Sequence, residues 1–209
     1  MCHRAGIIHR NLKSDNVLIG KDGLVKISDF ASSRISSIPI GCYTPEDPKE
    51  RDRSGREARR LWYRAPELLY RAKCYTFETD MWSIGCLLAE FARGSPLFNG
   101  QSEIESLFKI FKLTGSPEDE QIEAKEVPIV APKWERIPFI NIMGQESEIK
   151  ELVEAFIPRR ETAFKILVEL KNKLNLEGLD LLQSLLELNP CKRISAEQAL
   201  RHKFFEQQR

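Results

Sequence analysis

The chain has 209 residues, 42% of them hydrophobic and 30% charged, a balance that excludes a disordered or low-complexity polypeptide. A formal net charge of +1 provides no global field that would draw it to nucleic acid or to a membrane surface, and no apolar run approaches the ~20 residues of a bilayer span. Five cysteines, odd in number, widely spaced and without a C-x-x-C pair, argue against a zinc site or a disulfide framework and for a reduced, intracellular setting, nuclear or cytoplasmic.

The first informative stretch runs from Ile7 to Phe30, IIHRNLKSDNVLIGKDGLVKISDF. Short apolar patches at Ile7-Ile8, Val17-Leu18-Ile19 and Val25, Ile27 and Phe30, with the turn Gly20-Lys21-Asp22-Gly23 between the last two, predict a hairpin. His9, Arg10, Asn11, Lys13 and Asn16 then fall in a polar loop before its first strand, and Asp29 just after its second. This places Lys13, Asn16 and Asp29 at one end of a small ribbon. A lysine, a carboxamide oxygen and a carboxylate there suit phosphate and a hard, oxygen-preferring cation such as Mg²⁺. Taken singly, the same residues read as a surface lysine and two turn formers, and His9 as a packed core histidine.

The stretch resembles the catalytic and metal-binding loops of eukaryotic protein kinases, whose pattern is H-R-D-L-K-x-x-N followed by D-F-G. Trp62-Tyr63-Arg64-Ala65-Pro66-Glu67-Leu68-Leu69 is similar to the W-Y-R-A-P-E-L-L that closes the activation segment of cyclin-dependent kinases. Asp80-Met81-Trp82-Ser83-Ile84-Gly85-Cys86 and Pro190-Cys191-Lys192-Arg193-Ile194-Ser195 resemble later landmarks of that family, in the same order. The resemblance runs from Met1 to about Phe205. It implies a mainly α-helical fold with a small β-ribbon, the C-terminal lobe of a kinase with its N-terminal lobe absent. On this reading residues 1–209 are a partial kinase domain: catalytic loop 7–19, metal-binding loop 27–32, activation segment 29–67 and helical subdomain 68–205. Met1 to Gly6 would be the last turn of the helix entering the catalytic loop, and the chain is expected to be truncated.

The family roles transfer residue by residue. The resemblance implies ATP and Mg²⁺ as cofactors, with Lys13 on phosphate and Asn16 and Asp29 on metal. It makes His9 a core residue under the Phe30 ring and aims Arg10 at the activation-segment phosphate. Glu67 and Arg193 match a clamping ion pair. Asp80 matches the aspartate that holds the catalytic-loop backbone, though as a bare residue it reads equally as a helix N-cap.

Four positions depart from the pattern. Asn11 stands where the family has the aspartate that orients the acceptor hydroxyl and takes its proton; a carboxamide is not a usable base, and losing a general base costs ~10²–10⁴-fold in rate. Asp15 has no catalytic role to rescue it. Ala31 replaces the glycine of D-F-G, Arg60 replaces a threonine that bridges the catalytic aspartate and lysine, and Arg59 stands where a small apolar residue shapes the acceptor pocket.

Between Ser32 and Arg60 there is no steady periodicity, and prolines that include Pro45 and Pro48 together with the charge run KERDRSGREARR predict a loop. Thr44 and Ser54 are its candidate phosphosites. Asp80 to Phe91 is apolar nearly all round, as a central buried helix requires. Ser102 to Glu105 reads as a capping box before an apolar face of Ile104, Leu107, Phe108 and Phe111, ended by Gly115-Ser116-Pro117. Residues 118–150, with Pro132-Lys133-Trp134, resemble the family's insert. Helices are expected over Ile149–Phe156, Glu161–Leu174 and Leu179–Leu188, and from Ser195 behind a second capping box to Gln198.

The reading is a cyclin-dependent-like serine/threonine kinase, transferring the ATP γ-phosphate to protein hydroxyls, that is inactive or weakly active as it stands. The alternatives are a non-catalytic pseudokinase lobe acting as a protein-binding module, and a truncated product without independent function. Partners are protein substrates or binding proteins; a cyclin is possible by family although its contacting helix is absent, and neither nucleic acid nor membrane is expected.

Overall fold

A computed structural model describes residues 1–36, 56–69, 76–114 and 160–206. Thr44, Ser54, Cys42, Cys74, the insert with Pro132-Lys133-Trp134, the expected helix over Ile149–Phe156 and the stop at Gly115 lie outside the described residues.

After a single helical turn at His3–Ala5, closed by Gly6 in a left-handed conformation, the chain forms strand β1 (Ile7–Ile8). Strands β2 (Val17–Ile19) and β3 (Val25–Ile27) make the expected antiparallel hairpin, with Val17 opposite Ile27 and Ile19 opposite Val25. Its turn needs Gly23, whose φ of 77° is costly for any residue with a β-carbon. One ribbon was expected and there are two, because β1 pairs with β4 (Arg34–Ile35), Ile7 opposite Ile35. Both ribbons are too short to be stable alone. The hairpin is tied down at its base, where Ser28 N–H donates to the Asn16 carbonyl at 2.9 Å, while Leu18, Ile19, Leu24 and Val25 stand in solvent.

The region from Ser32 to Arg60 is not all loop. Besides β4 it contains helix α1 (Arg56–Leu61), within the charge run. Charge did not prevent a helix there, since arginine, glutamate and alanine are all good helix formers. Helix α2 (Pro66–Leu69) follows, and then α3 (Glu78–Arg93), the axis of the core.

Trp82, fully buried, stacks on Phe98 with ring centroids 5.9 Å apart, and α3 packs against α5 (Arg160–Lys173) and α6 (Leu176–Leu185). Gly85 permits that approach: a β-carbon there would lie 2.8 Å from Leu186 Cδ2 and 3.0 Å from Leu185 Cβ. The expectation of burial all round fails at Phe91, which is 63% exposed on the outer side of the last turn.

Helix α4 (Glu103–Thr114) turns a slightly different face inward than its apolar spacing suggests. Leu107 and Ile110 are the buried apolar pair, with the buried Ser106 beside them, whereas Ile104, Phe108 and Phe111 are half-buried. Its cap is half of the expected box: Ser102 Oγ accepts from Glu105 N–H at 3.1 Å, but the Glu105 carboxylate takes the N–H of Gln101.

Helix α6 begins three residues earlier than expected, because the Asn175 side chain caps it by accepting from Gly178 N–H at 2.8 Å. The Ser195 capping box is complete ahead of α7 (Ala196–Leu200), and a last helix, α8 (Lys203–Glu206), lies beside α6.

Glu67 and Arg193 join α2 to the loop before α7. The guanidinium grips both carboxylate oxygens, at 2.8 and 3.0 Å, and its remaining N–H groups go to the carbonyls of Glu78, Glu187 and Leu188. All five donors are used, and the cation also lies 5.2 Å above the Trp82 ring.

Candidate functional site

The loop between β1 and β2 is shaped from below by Asp80, buried in the first turn of α3. Its carboxylate accepts from the backbone N–H of His9 and of Arg10, each at 2.8 Å, and lies 2.8 Å from His3 Nε2. The N-cap alternative is not realised, since Phe77 occupies that position. The two N–H bonds hold Arg10 at φ 67°, a left-handed backbone that a non-glycine residue keeps only where its surroundings fix it.

From that bend the side chains diverge. His9 is buried and meets the Phe30 ring edge-on at 4.5 Å, with its Nε2 3.1 Å from the Ser28 carbonyl, so the loop and the segment after β3 are joined through it. Asn16, 6% exposed, donates from Nδ2 to the Asn11 carbonyl at 2.7 Å. Its own carbonyl accepts from both the N–H and the hydroxyl of Ser28. Asn11 in turn donates from its side-chain Nδ2 to Asp29 Oδ2 at 2.7 Å. Asp29 is the second non-glycine residue with a left-handed backbone, at φ 63°.

Asn11, Asn16 and Asp29 are therefore brought together with His9, Phe30 and Asp80. Lys13 is not bonded to them: its ammonium lies 3.7 Å from Asp15, and it lines a shallow concavity with Arg10, Asn11, Arg60, Tyr63 and Arg64. Arg60 reaches the Ser32 hydroxyl at 3.4 Å, and Arg59 lies 3.9 Å from Asp15. The contact expected between Arg10 and a phosphorylated Thr44 or Ser54 lies outside the described residues.

Tyr63 was not singled out from the sequence, yet it ties the loop to the core. Its hydroxyl donates to Glu90 on α3 at 2.6 Å and lies 2.9 Å from Ser14 Oγ, while its carbonyl accepts from Ser83 Oγ. Burial, and then the bond to Glu90, push the phenol above its ordinary range. Its position inside W-Y-R-A-P-E-L-L was the available signal.

The donor set suits the cation the sequence suggested. Asn16 and Asp29 offer oxygen, and Mg²⁺ is commonly held by one or two carboxylates with phosphate and water completing its shell. Among the described residues no three His, Cys, Asp or Glu side chains cluster as an all-protein metal cage. No described helix is long and apolar enough to cross a membrane.

Comparison with known proteins agrees with the motifs. The family model for the protein kinase domain matches residues 1–205. The cell division control protein 2 homolog 3 of Trypanosoma brucei brucei is 38% identical over 210 residues, covering 98% of this chain and 55% of that protein. The chain thus spans about half the length of the curated relative it matches. With Asp80 under the loop, Glu67 clamped to Arg193 and the motifs in register over nearly its whole length, the chain belongs to the eukaryotic protein kinase family, in its cyclin-dependent kinase-like group.

Proposed function

We propose that the chain carries an ATP–Mg²⁺ site of serine/threonine kinase type in which phosphoryl transfer is strongly reduced. Asn16 and Asp29 would hold the cation, Lys13 would meet phosphate, and the substrate would be a protein hydroxyl. The bound cation would offset phosphate charge and orient the transferred group. The subdivision into catalytic loop 7–19, metal-binding loop 27–32, activation segment 29–67 and helical subdomain 68–205 belongs to the same proposal.

The observation that carries it is the Asn11–Asp29 bond. The side chain at the base position is turned onto the metal ligand and spends a donor there. It has no carboxylate with which to take the acceptor's proton. The guanidinium of Arg60, resting on Ser32 beside the same concavity, offers no hydroxyl to bridge the loop.

The test has two parts. ATP–Mg²⁺ should raise the melting temperature of the chain, and Asp29→Asn should remove that response. In the same chain Asn11→Asp should raise transfer to a generic serine/threonine substrate by ~10²–10⁴-fold. An unchanged rate in Asn11→Asp refutes the account of the base. A wild-type melt indifferent to nucleotide favours the second reading, a protein-binding lobe. That reading draws support from the altered acceptor side, where Arg59 and Arg60 replace small residues.

A further inference from the structure

Asn11 is fixed at three points. Its carbonyl receives the Asn16 amide at 2.7 Å, its own N–H lies 3.3 Å from His9 Nδ1, and its side-chain Nδ2 donates to Asp29 Oδ2 at 2.7 Å. That last distance is short, as expected of a hydrogen bond to an ionised acceptor. The acceptor is the carboxylate of a residue at φ 63°, so the bond falls on a segment whose backbone is itself unfavourable. An aspartate at position 11 could not make this contact. It would set two carboxylates side by side, an arrangement that a proton or a cation must relieve.

We infer that the Asn11 carboxamide stands in for the cation at Asp29. It holds the carboxylate and its strained backbone in place without metal. A divalent ion taking both Asp29 oxygens must displace it, so Asn11 lowers cation affinity and makes the order of the loop independent of the ion. The inference rests on the proposed metal role of Asn16 and Asp29, and it assigns Asn11 as a positioning residue with a function of its own rather than a merely lost base.

The test is Mn²⁺ binding to the full chain, with the free ion counted by electron paramagnetic resonance, alongside melting in EDTA and in Mn²⁺. Asn11→Ala should bind Mn²⁺ on the order of tenfold more tightly than wild type, since one charged hydrogen bond no longer competes. Asn11→Asp should bind more tightly still. Both variants should melt lower than wild type in EDTA and gain more on adding Mn²⁺, whereas wild type should show the smaller rise. If Asn11→Ala does not fold, Asn11→Leu, of similar size and without a donor, serves in its place with the same expectation. Equal affinity in wild type and the donorless variant, with Asp29→Asn binding none, overturns the inference and leaves the metal site standing. No binding by any variant overturns both.

Discussion

Replacing Glu67 by glutamine should be among the most damaging single substitutions in the chain, although it exchanges a single heavy atom. The Arg193 guanidinium is 0% exposed and the Glu67 side chain 2% exposed, so neither charge has water to fall back on. In the variant the cation stays buried with three backbone carbonyls and an amide that presents a donor to it. Breaking a buried pair from one side costs about 3–5 kcal/mol. Set against a total stability of roughly 5–15 kcal/mol, that is a large fraction. With a urea slope of about 2 kcal/mol per molar, the unfolding midpoint should fall by about 1.5–2.5 M, followed by far-ultraviolet circular dichroism and tryptophan fluorescence. Arg193→Met should cost at least as much, because it leaves the carbonyls of Glu78, Glu187 and Leu188 without their donor. The double variant should be markedly less destabilised than the sum of the two. A midpoint shift below about 0.5 M in Glu67→Gln, or strict additivity in the cycle, would refute the reasoning.

Gly85→Ala should destabilise by about 1–3 kcal/mol despite improving helix propensity, because the new methyl would press on Leu185 and Leu186 of the neighbouring segment; a neutral or stabilising result in urea unfolding would show that the helices separate without cost. Tyr63 contributes to alkaline stability. Its phenol is held above the usual value of about 10, so its contribution is whole below about pH 10 and is lost as pH rises further, when the unfolded chain releases the proton first. The buried Cys86 thiol, raised chiefly by burial, acts in the same direction from about pH 9. Tyr63→Phe should therefore flatten only part of the decline between about pH 9 and 11 in a series of urea midpoints, and an unchanged slope would sink the assignment.

What was legible in the sequence was what a motif holds at short range or the family places by role. The hairpin, the burial of His9 under Phe30, the Glu67–Arg193 clamp and the grip of Asp80 on the loop were all readable in this way. The misses share physical causes. Two-residue strands show no alternation, so the pairing of Ile7-Ile8 with Arg34-Ile35 left no periodic trace. Helix α1 lies in a run whose charge suggested solvent, and charge says little about helicity. The inward face of α4 is centred on Leu107 and Ile110, with Phe108 and Phe111 at its margins, because what it packs against decides which side is covered. The Tyr63 network joins residues 49 and 27 positions apart, and such spacing carries no signal. Asn11 was read as a lost base, but its bond to Asp29 depends on where two bends of the backbone meet.

The three contacts of Asp80 span 70, 71 and 77 positions of chain. The entropy of closing a loop that long must be met before any of them forms, and nothing within the first ribbon can substitute. The bend at Arg10, and the polar site built on it, therefore depends on the docking of α3. It also inherits the helix's fate. Any lesion that loosens α3 will unmake the bend with it, so damage at Gly85 or Trp82 would be read in an activity assay as damage to the site itself.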